Sequence, residues 1–334
     1  MKRILNLKNV KMAVALALMI LLVAALIPAP VQAAEVKWYR GEPGYAFENK
    51  TKIGDGYFWY EYEYGDDSTK TILRYSAQKS GKGVKLASME YPYYYGENIL
   101  FNGTKVYYTT YDYERGDESS KFRIHSVSKT GKNKVTLKTL TVKDGCGYTE
   151  LLGVYNGRVY FTRFDKDWED NKTAGKLCSM KMTKDAKTGK YLVSTVNKDF
   201  PHADSRGAGS RYIYAQPTYD TIKIFDCKTS EVIRTVKDAG EFYIGSNYIY
   251  YKKYDENGTP VLIQTSLTGK NKTVVKKFKN SSYAAVRKTG KMYYNEYNDA
   301  GEAKFYEYNI AKKTAVEISE NEFMMKAFDG TFGM

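Results

Sequence analysis

Cysteine, histidine and proline are scarce in this chain of 334 residues, which contains three, two and seven of them. Three cysteines, Cys146, Cys178 and Cys227, allow at most one disulfide within the chain, which excludes a disulfide-stapled fold. The two histidines, His125 and His202, have no cysteine or carboxylate at the spacing of zinc ligands. Glycine motifs of hydrolases and nucleotide-binding loops are also missing. The sequence therefore predicts no metal, no cofactor and no recognisable catalytic residues.

Long apolar runs are absent after residue 34. Before that point, four basic residues precede an apolar segment at residues 12–27, and small residues follow at 31–34. This pattern predicts a helical signal peptide over residues 1–34, cleaved after Ala33 or Ala34, and a secreted or cell-wall-associated protein. A retained membrane anchor is the alternative, although the run is shorter than the roughly 20 residues of a spanning helix. We expect no transmembrane segment in the mature chain.

Tyrosine and basic residues are what the sequence has in excess, with 33 tyrosines and a formal charge of +14. The leader contributes four of the positive charges, which leaves about +10 for the remainder. Tyrosine and the β-branched residues favour pleated, half-buried strands. No amphipathic helical pattern follows residue 34, so we predict a single all-β domain over residues 35–334.

One short unit recurs six times after the leader. It consists of a turn followed by a compact aromatic strand, as in the Lys105-Val106-Tyr107-Tyr108 copy. The aromatic strands begin at Gly56, Lys105, Arg158, Arg211, Asn247 and Lys291. Their spacing is close to the roughly 40–50 residues of a four-stranded propeller blade. We therefore place repeats at about 44–90, 91–143, 144–197, 198–239, 240–280 and 281–320.

Each copy also contains two hairpin signals. In the second copy, Asn102-Gly103 precedes the aromatic strand and a Thr-Gly-Lys turn near residue 131 joins two further strands. Four strands with short turns predict one antiparallel sheet, and six such sheets predict a β-propeller of six blades. Residues 35–40 and 322–328 read as strands that complete one shared blade, or form a seventh. An open β-solenoid and two β-sandwiches are the alternative folds.

Two stretches carry a resemblance to known repeats. Residues 106–108 with the hairpin at 128–131, and residues 248–251 with the hairpin at 266–269, resemble tyrosine-rich β-propeller repeat proteins secreted by Gram-positive bacteria. The resemblance spans roughly residues 50–319. It extends loosely to low-density-lipoprotein-receptor-type propellers, although their Tyr-Trp-Thr-Asp signature is absent. It implies a fold and no particular reaction or ligand.

Aromatic residues near the connecting loops are candidate ligand contacts, because tyrosine combines an apolar ring with a polar tip that suits the face of a sugar. The alternative is that these rings pack between blades. The candidates are Tyr91, Tyr93, Tyr94, Tyr95, Tyr62, Tyr64 and Trp168.

A weak calcium candidate lies beside Trp168. Asp165, Asp167 and Glu169 alternate as at the start of a calcium loop. The loop has Asp170 and Lys176 where that motif requires glycine and glutamate, which favours a solvated acidic loop.

Acidic and basic residues occur in different kinds of turn within each repeat. The loops between second and third strands are acidic, as at Asp66–Asp67, 114–118 and 165–170, and the third-to-fourth turns are basic. The basic face consists of Lys129, Lys132, Lys134, Lys184, Lys187, Lys270, Lys272, Lys312 and Lys313. Lys105, Arg158, Arg211 and Lys291 add to it from the first-to-second turns. A face of one sign attracts polyanions, although lysine-rich turns also serve solubility.

These features predict a secreted, monomeric, non-catalytic propeller that binds an anionic cell-envelope polymer, a polysaccharide or a protein. No helix-turn-helix or zinc-finger pattern supports nucleic acid as a partner. A carbohydrate-active hydrolase or lyase with carboxylates around the central channel is the alternative function. A structural or assembly role is the third.

Overall fold

The computed structural model describes residues 36–65, 68–90, 93–112, 119–143, 149–163, 175–200, 203–205, 210–245, 247–279, 284–286 and 290–328. The chain divides into two units, residues 1–36 and residues 37–334. The second unit contains all of the strands and the helix given below. The predicted signal peptide helix lies outside the described residues. No helix within the described ranges is long and apolar enough to cross a membrane.

The first half of the second unit forms three antiparallel sheets. Sheet 1 contains β2 (Thr51–Ile53), β3 (Gly56–Tyr64), β4 (Thr69–Ser76) and β5 (Val84–Glu90). Sheet 2 contains β1 (Tyr39–Gly41), β6 (Tyr93–Tyr95), β7 (Ile99–Phe101), β8 (Lys105–Asp112), β9 (Ser119–Ser128) and β10 (Val135–Lys143). Sheet 3 contains β11 (Thr149–Tyr155), β12 (Arg158–Arg163), β13 (Lys176–Lys181) and β14 (Val193–Asn197).

The second half forms three more sheets and a helix. Sheet 4 contains β15 (Ala203–Ser205), β16 (Tyr212–Thr218), β17 (Thr221–Asp226) and β18 (Glu231–Lys237). Sheet 5 contains β19 (Phe242–Ile244), β20 (Tyr248–Tyr254), β21 (Pro260–Ser266) and β22 (Thr273–Lys277). Sheet 6 contains β23 (Ala284–Val286), β24 (Lys291–Tyr297), β25 (Ala303–Asn309) and β26 (Thr314–Ile318), and α1 (Glu320–Phe328) follows it.

Six sheets of this kind give the all-β, propeller-like fold that the sequence predicts. Apolar clusters are shared by sheets 1 and 2, 2 and 3, 3 and 4, 4 and 5, and 5 and 6. The core is therefore distributed between successive sheets. The described residues form no seventh sheet, so the seven-blade alternative has no support in them.

The aromatic strands are the second strands of their sheets, and their central residues are buried on both faces. In β8, for example, the consecutive residues Val106, Tyr107 and Tyr108 are all buried. The same holds for Ile249, Tyr250 and Tyr251 in β20. A strand with both faces buried cannot alternate apolar and polar side chains, which explains the continuous aromatic runs in the sequence.

Buried tyrosine hydroxyls connect one sheet to the next. The Tyr160 hydroxyl in sheet 3 donates to the carbonyl oxygen of Cys227 beside sheet 4, at 3.3 Å. The Tyr214 hydroxyl in sheet 4 donates to the Leu267 carbonyl oxygen beside sheet 5, at 3.2 Å. A buried hydroxyl without a partner costs free energy, so these bonds favour one relative placement of adjacent sheets.

The third-to-fourth turns of sheets 2, 3 and 5 each contain a glycine in the left-handed region. Gly131, Gly189 and Gly269 have φ angles of +76°, +65° and +72°, a region that side chains disfavour. In sheets 2 and 5 the turn is closed by equivalent bonds, from Ser128 N to Lys132 O and from Ser266 N to Lys270 O. Glycine in the repeated Thr-Gly-Lys sequence therefore permits the turn.

The N-terminal strand does not pair with the C-terminal segment as predicted. β1 pairs antiparallel with β7 and adds an extra strand to sheet 2. Arg40 at its centre is buried and forms an ion pair with Glu150 of sheet 3, and its Nε donates to the Leu151 carbonyl oxygen at 2.8 Å. Glu150 also accepts a bond from Asn98 at 3.1 Å. These polar contacts place β1 against sheets 2 and 3.

Residues 322–328 form part of a helix, and the prediction of a strand there was wrong. Ser319 is the N-cap: its side-chain oxygen accepts the Glu322 N–H at 3.2 Å, and its carbonyl oxygen accepts the Phe323 N–H at 2.9 Å. Phe323 and Ala327 are buried against Tyr293 of sheet 6. Lys326 bonds to both Glu322 and Glu307, which attaches the helix to β25. The Ser-x-x-Glu sequence at 319–322 is a capping signal that the strand assignment overlooked.

Replacing Tyr214, which is fully buried, tests the contact between sheets 4 and 5. We expect Tyr214→Phe to lower the free energy of unfolding by about 1 kcal/mol, because only the hydroxyl bond is lost. Tyr214→Ala also leaves a cavity and is expected to cost about 4 kcal/mol. Urea denaturation followed by circular dichroism measures both. Tyr248→Phe, at a ring that is 42% exposed, is the control and should leave stability unchanged.

A second pair of variants tests whether α1 is part of the folded core. Phe323→Ala should lower the free energy of unfolding by about 3 kcal/mol, because its side chain is buried against sheet 6. Met325→Ala on the exposed side of the same helix is the matched control. Equal stabilities for the two variants in thermal unfolding would contradict the docking of α1.

Candidate functional site

Lysine dominates the third-to-fourth turns of all six sheets. These turns, at residues 77–83, 129–134, 182–192, 227–230, 267–272 and 310–313, are all described, and Asp185 is their sole carboxylate. The predicted basic residues that they contain are Lys129, Lys132, Lys134, Lys184, Lys187, Lys270, Lys272, Lys312 and Lys313. Within each sheet the first-to-second turn opens at the same end, because successive strands are antiparallel.

A groove of about 350 Å³ lies between sheets 2 and 3 at this end. One wall is β10, from Val135 to Thr139, and the other is the turn between β13 and β14. Lys138, Lys184 and Lys190 line it, and no carboxylate does. Tyr191 also lines the groove, with the Lys184 ammonium 6.0 Å from its ring centroid. The groove thus presents three cationic groups and one aromatic ring, a combination suited to an anionic sugar.

His125 lies beside this groove and is only 6% exposed. Its Nε2 is 2.8 Å from the Thr110 hydroxyl, and its Nδ1 is 3.1 Å from the hydroxyl of Thr136, a residue of the groove wall. Its ring stacks on Tyr108 with centroids 4.9 Å apart. Burial, and then the charges of Lys134 and Arg123, lower the pKa of His125 to about 4. The imidazole is therefore neutral at pH 7. It holds Thr136 of the groove wall through a hydrogen bond and adds no charge.

Lys134 directly precedes β10 in the chain and lies near His125 and Lys85. Desolvation, and then the charge of Lys85 in sheet 1, lower its pKa. Like charges held near one another in this way are stabilised by a bound anion, because the anion offsets their mutual repulsion.

Most of the basic residues predicted at the first-to-second turns are already engaged within their own sheets. Arg211 forms a bidentate bond to the buried carboxylate of Asp226, which lowers the pKa of Asp226. Lys291 pairs with Glu307, and this bond together with that of Lys326 lowers the Glu307 pKa to about 2. Arg158 donates to the Ser179 hydroxyl at 2.8 Å. Of the two turn classes at this end of the sheets, the third-to-fourth turns therefore carry most of the unpaired positive charge.

The predicted tyrosine candidates divide into exposed and packed residues. Tyr62 and Tyr64 at the end of β3 are 39% and 81% exposed, and their rings stack with centroids 6.5 Å apart. Tyr95 stacks instead on Tyr60 at 5.2 Å and packs against Tyr108 at 5.8 Å. Tyr95 is partly buried and packs against the core between sheets 1 and 2, which favours the alternative that its ring packs between blades. Residues 93–95 also form a strand where a connecting loop was expected.

Several predicted sites fall outside the described residues. They are Tyr91, the side chains of Tyr93 and Tyr94, Trp168, the calcium candidates Asp165, Asp167 and Glu169, and the acidic residues at 66–67 and 114–118. Among the described residues, no three histidine, cysteine or carboxylate side chains are grouped as metal ligands. The side chains of Cys178 and Cys227 are buried, and Cys146 is not described.

Carboxylates on the inner strands would be needed for glycoside cleavage. On β1, β2, β7, β11, β19 and β23, the described side chains include one carboxylate, Glu150. Arg40 neutralises it and Asn98 bonds to it. Asp204 of β15, the first strand of sheet 4, is a further carboxylate, and its side chain lies outside the described residues.

Some groove residues were missed in the sequence. Lys138 is on β10, and in the sequence it resembled one of the polar residues that alternate with apolar residues along a strand. Lys190 and Tyr191 follow Gly189, in a turn whose length the repeats do not predict. The signal for Lys190 was present in the Thr-Gly-Lys repeat itself.

Comparisons with known proteins give weak structural similarities. No protein-family model matches the chain, and no curated protein matches it in sequence. An uncharacterised protein of Listeria monocytogenes aligns with a TM-score of 0.49 and 10% identity, over 87% of this chain and 86% of that one. Oligogalacturonate lyase from Vibrio parahaemolyticus aligns with a TM-score of 0.47 and 10% identity, over 86% and 82%.

Prolyl oligopeptidase B from Galerina marginata aligns with a TM-score of 0.45 and 9% identity, over 77% of this chain. The alignment covers 37% of that enzyme, so the chain spans little more than a third of its length. Similarities at this level carry no argument about activity or ligand.

The buried histidine predicts how stability responds to pH. The unfolded chain takes up a proton on His125 near pH 6.5, whereas the folded protein resists until about pH 4. Folding stability contributed by the neutral imidazole is therefore present above pH 6.5 and is lost as the pH falls to 4, by about 3 kcal/mol. His125→Gln should flatten this part of the stability profile. An NMR imidazole resonance assigned to His125, by its absence from the His125→Gln spectrum, that titrates near pH 6.5 would contradict the burial.

Proposed function

We propose that this protein is a secreted, non-catalytic β-propeller that binds an anionic polysaccharide through its third-to-fourth turns. The observation that carries the proposal is the groove between sheets 2 and 3, where Lys138, Lys184 and Lys190 face a shared space with no carboxylate. The lysines of the other third-to-fourth turns extend this character to every sheet.

The charge pattern supports a polymer as the ligand. A single small anion needs one cationic pocket, whereas lysines repeated in six turns offer many separated contacts. A polymer that touches several of them gains affinity through effective concentration. Tyr191 supports a sugar, since its ring lies beside Lys184 at the groove wall.

The proposed face requires the six sheets to be arranged around a common axis. We propose a six-bladed propeller in which α1 packs against sheet 6. Its support is that each pair of consecutive sheets shares a core, and that β1 lies beside β2, β7 and β11 of three successive sheets. Those first strands therefore converge, as strands around a propeller axis do.

Secretion is part of the proposal because of the leader. The basic, apolar and small-residue segments of residues 1–34 support export. Burial of the Cys178 and Cys227 side chains limits their access to oxidants in that compartment. An exported protein meets anionic polysaccharides at the cell surface, which matches the charge of the lysine-rich turns.

Retention on immobilised polygalacturonate tests the proposed function. We expect the protein to bind at low salt and to elute as salt screens the lysines. Lys184→Glu with Lys190→Glu should weaken binding roughly fivefold or more and lower the eluting salt concentration, because two cations of the groove become anions.

The matched control is Lys198→Glu with Lys279→Glu. This pair changes the net charge equally, but its exposed lysines follow the fourth strands of sheets 3 and 5, at the other end of those sheets. It should retain most of the affinity. Equal losses for the two double variants would show that net charge alone governs binding and would overturn the assignment of the groove.

A further inference from the structure

An aromatic residue recurs where the second strand of each sheet ends. Tyr64, Tyr254 and Tyr297 are the last residues of β3, β20 and β24, and Tyr219 directly follows β16. In sheets 2 and 3 the sequence places Tyr113 and Phe164 directly after the strand, outside the described residues. The four described positions lie at the opposite end of their sheets from the lysine-rich turns.

The described members of this set are exposed. Tyr64, Tyr219 and Tyr254 are 81%, 75% and 59% exposed, and Tyr297 is 41% exposed. The core explains the buried tyrosines earlier in the same strands, but it does not explain rings that lie mostly in water. A large apolar group repeated on one surface is typical of a binding surface.

Two of these rings line one groove of about 250 Å³ between sheets 4 and 5. Tyr219 is on the two-residue turn between β16 and β17, and Tyr254 ends β20. The floor and walls are completed by Asp220, Asp238, Gly240, Glu241, Lys252 and Lys253.

Gln216 holds both walls of this groove in place. Its side-chain amide lies 2.7 Å from the Tyr219 carbonyl oxygen, 3.2 Å from that of Ala239 and 2.8 Å from that of Gly240. The turn that carries Tyr219 and the connection that leads to sheet 5 are therefore fixed relative to one another. A preorganised groove loses little entropy when it binds a ligand.

The charges of the groove indicate an uncharged ligand. Asp238 pairs with Lys253 at 3.7 Å, and Asp220 accepts bonds from the hydroxyls of Thr218 and Thr221 at 2.9 and 3.1 Å. Carboxylates outnumber the lysines, so a polyanion is repelled. Carboxylate oxygens and ammonium groups together bind hydroxyl groups, which both donate and accept hydrogen bonds.

From these observations we propose that the groove between sheets 4 and 5 is a binding site for a neutral β-linked hexopyranose chain, with Tyr219 and Tyr254 stacking on sugar rings. Such a chain has apolar ring faces that fit the exposed tyrosines and equatorial hydroxyls that fit the polar walls. The equivalent tyrosines of sheets 1 and 6 provide further contacts for a long chain. This site is separate from the basic groove of the proposed function.

Isothermal titration with cellohexaose tests the site in the full chain. We expect measurable binding that is insensitive to salt, and a loss of about tenfold or more in affinity for Tyr219→Ala with Tyr254→Ala, because two stacking surfaces are removed. Tyr254→Phe should keep most of the affinity, since the ring remains. Gln216 is a positioning residue that holds the groove walls and does not contact the sugar. Gln216→Ala should therefore also weaken binding.

Tyr248→Ala is the matched control, because Tyr248 is exposed on the same strand as Tyr254 but at its other end. It should bind cellohexaose as the wild type does. The tyrosine double variant should also keep its retention on polygalacturonate, so failure here and failure of the basic groove are distinguishable. The proposal is overturned if the wild type does not bind cellohexaose, if the double variant binds it equally well, or if hexagalacturonate binds the groove more tightly.

Discussion

The burial of the aromatic centre of the second strand in each sheet is the constraint from which the rest of the structure follows. Residues such as Tyr107, Tyr160 and Tyr214 place apolar rings in the cores that successive sheets share. Their hydroxyls still need partners, and Tyr160 and Tyr214 find them in carbonyl oxygens beside the next sheet. One residue type therefore supplies both the apolar packing between sheets and polar bonds that set their relative placement.

Because the faces of the sheets pack against one another, only the two ends of the sheets can contact a ligand. The faces are used in stacking, so the groups that remain available for ligands are on turns and strand ends. At one end the backbone requires tight glycine turns, and lysines flank them. At the other end the second strands emerge from the core and carry exposed tyrosines. The two grooves between sheets accordingly differ in charge, and they suit an anionic sugar and a neutral one.

Local sequence signals predicted the sheets well and the chain ends poorly. The aromatic runs and Thr-Gly-Lys turns depend on neighbouring residues, and the structure contains six antiparallel sheets with these elements. β1 joins sheet 2 because Arg40 finds Glu150, a residue 110 positions away, which no local pattern reveals. For α1 the capping residues were present, but apolar residues between 322 and 328 also suited a strand, and only the contact of Phe323 with Tyr293 decides between them.

By itself the sequence determined the all-β class, the repeated second strand and the lysine content of the turns, because each depends on residues close together in the chain. Tertiary structure decided which of those residues share a surface. It packs Tyr95 against a core, whereas it places Tyr254 beside Tyr219 in a groove. It also pairs Arg211 with Asp226, whereas Lys184 lines an open groove. Exposure and charge pairing are properties of distant residues brought together, so composition and spacing could not distinguish a packed tyrosine from an exposed one.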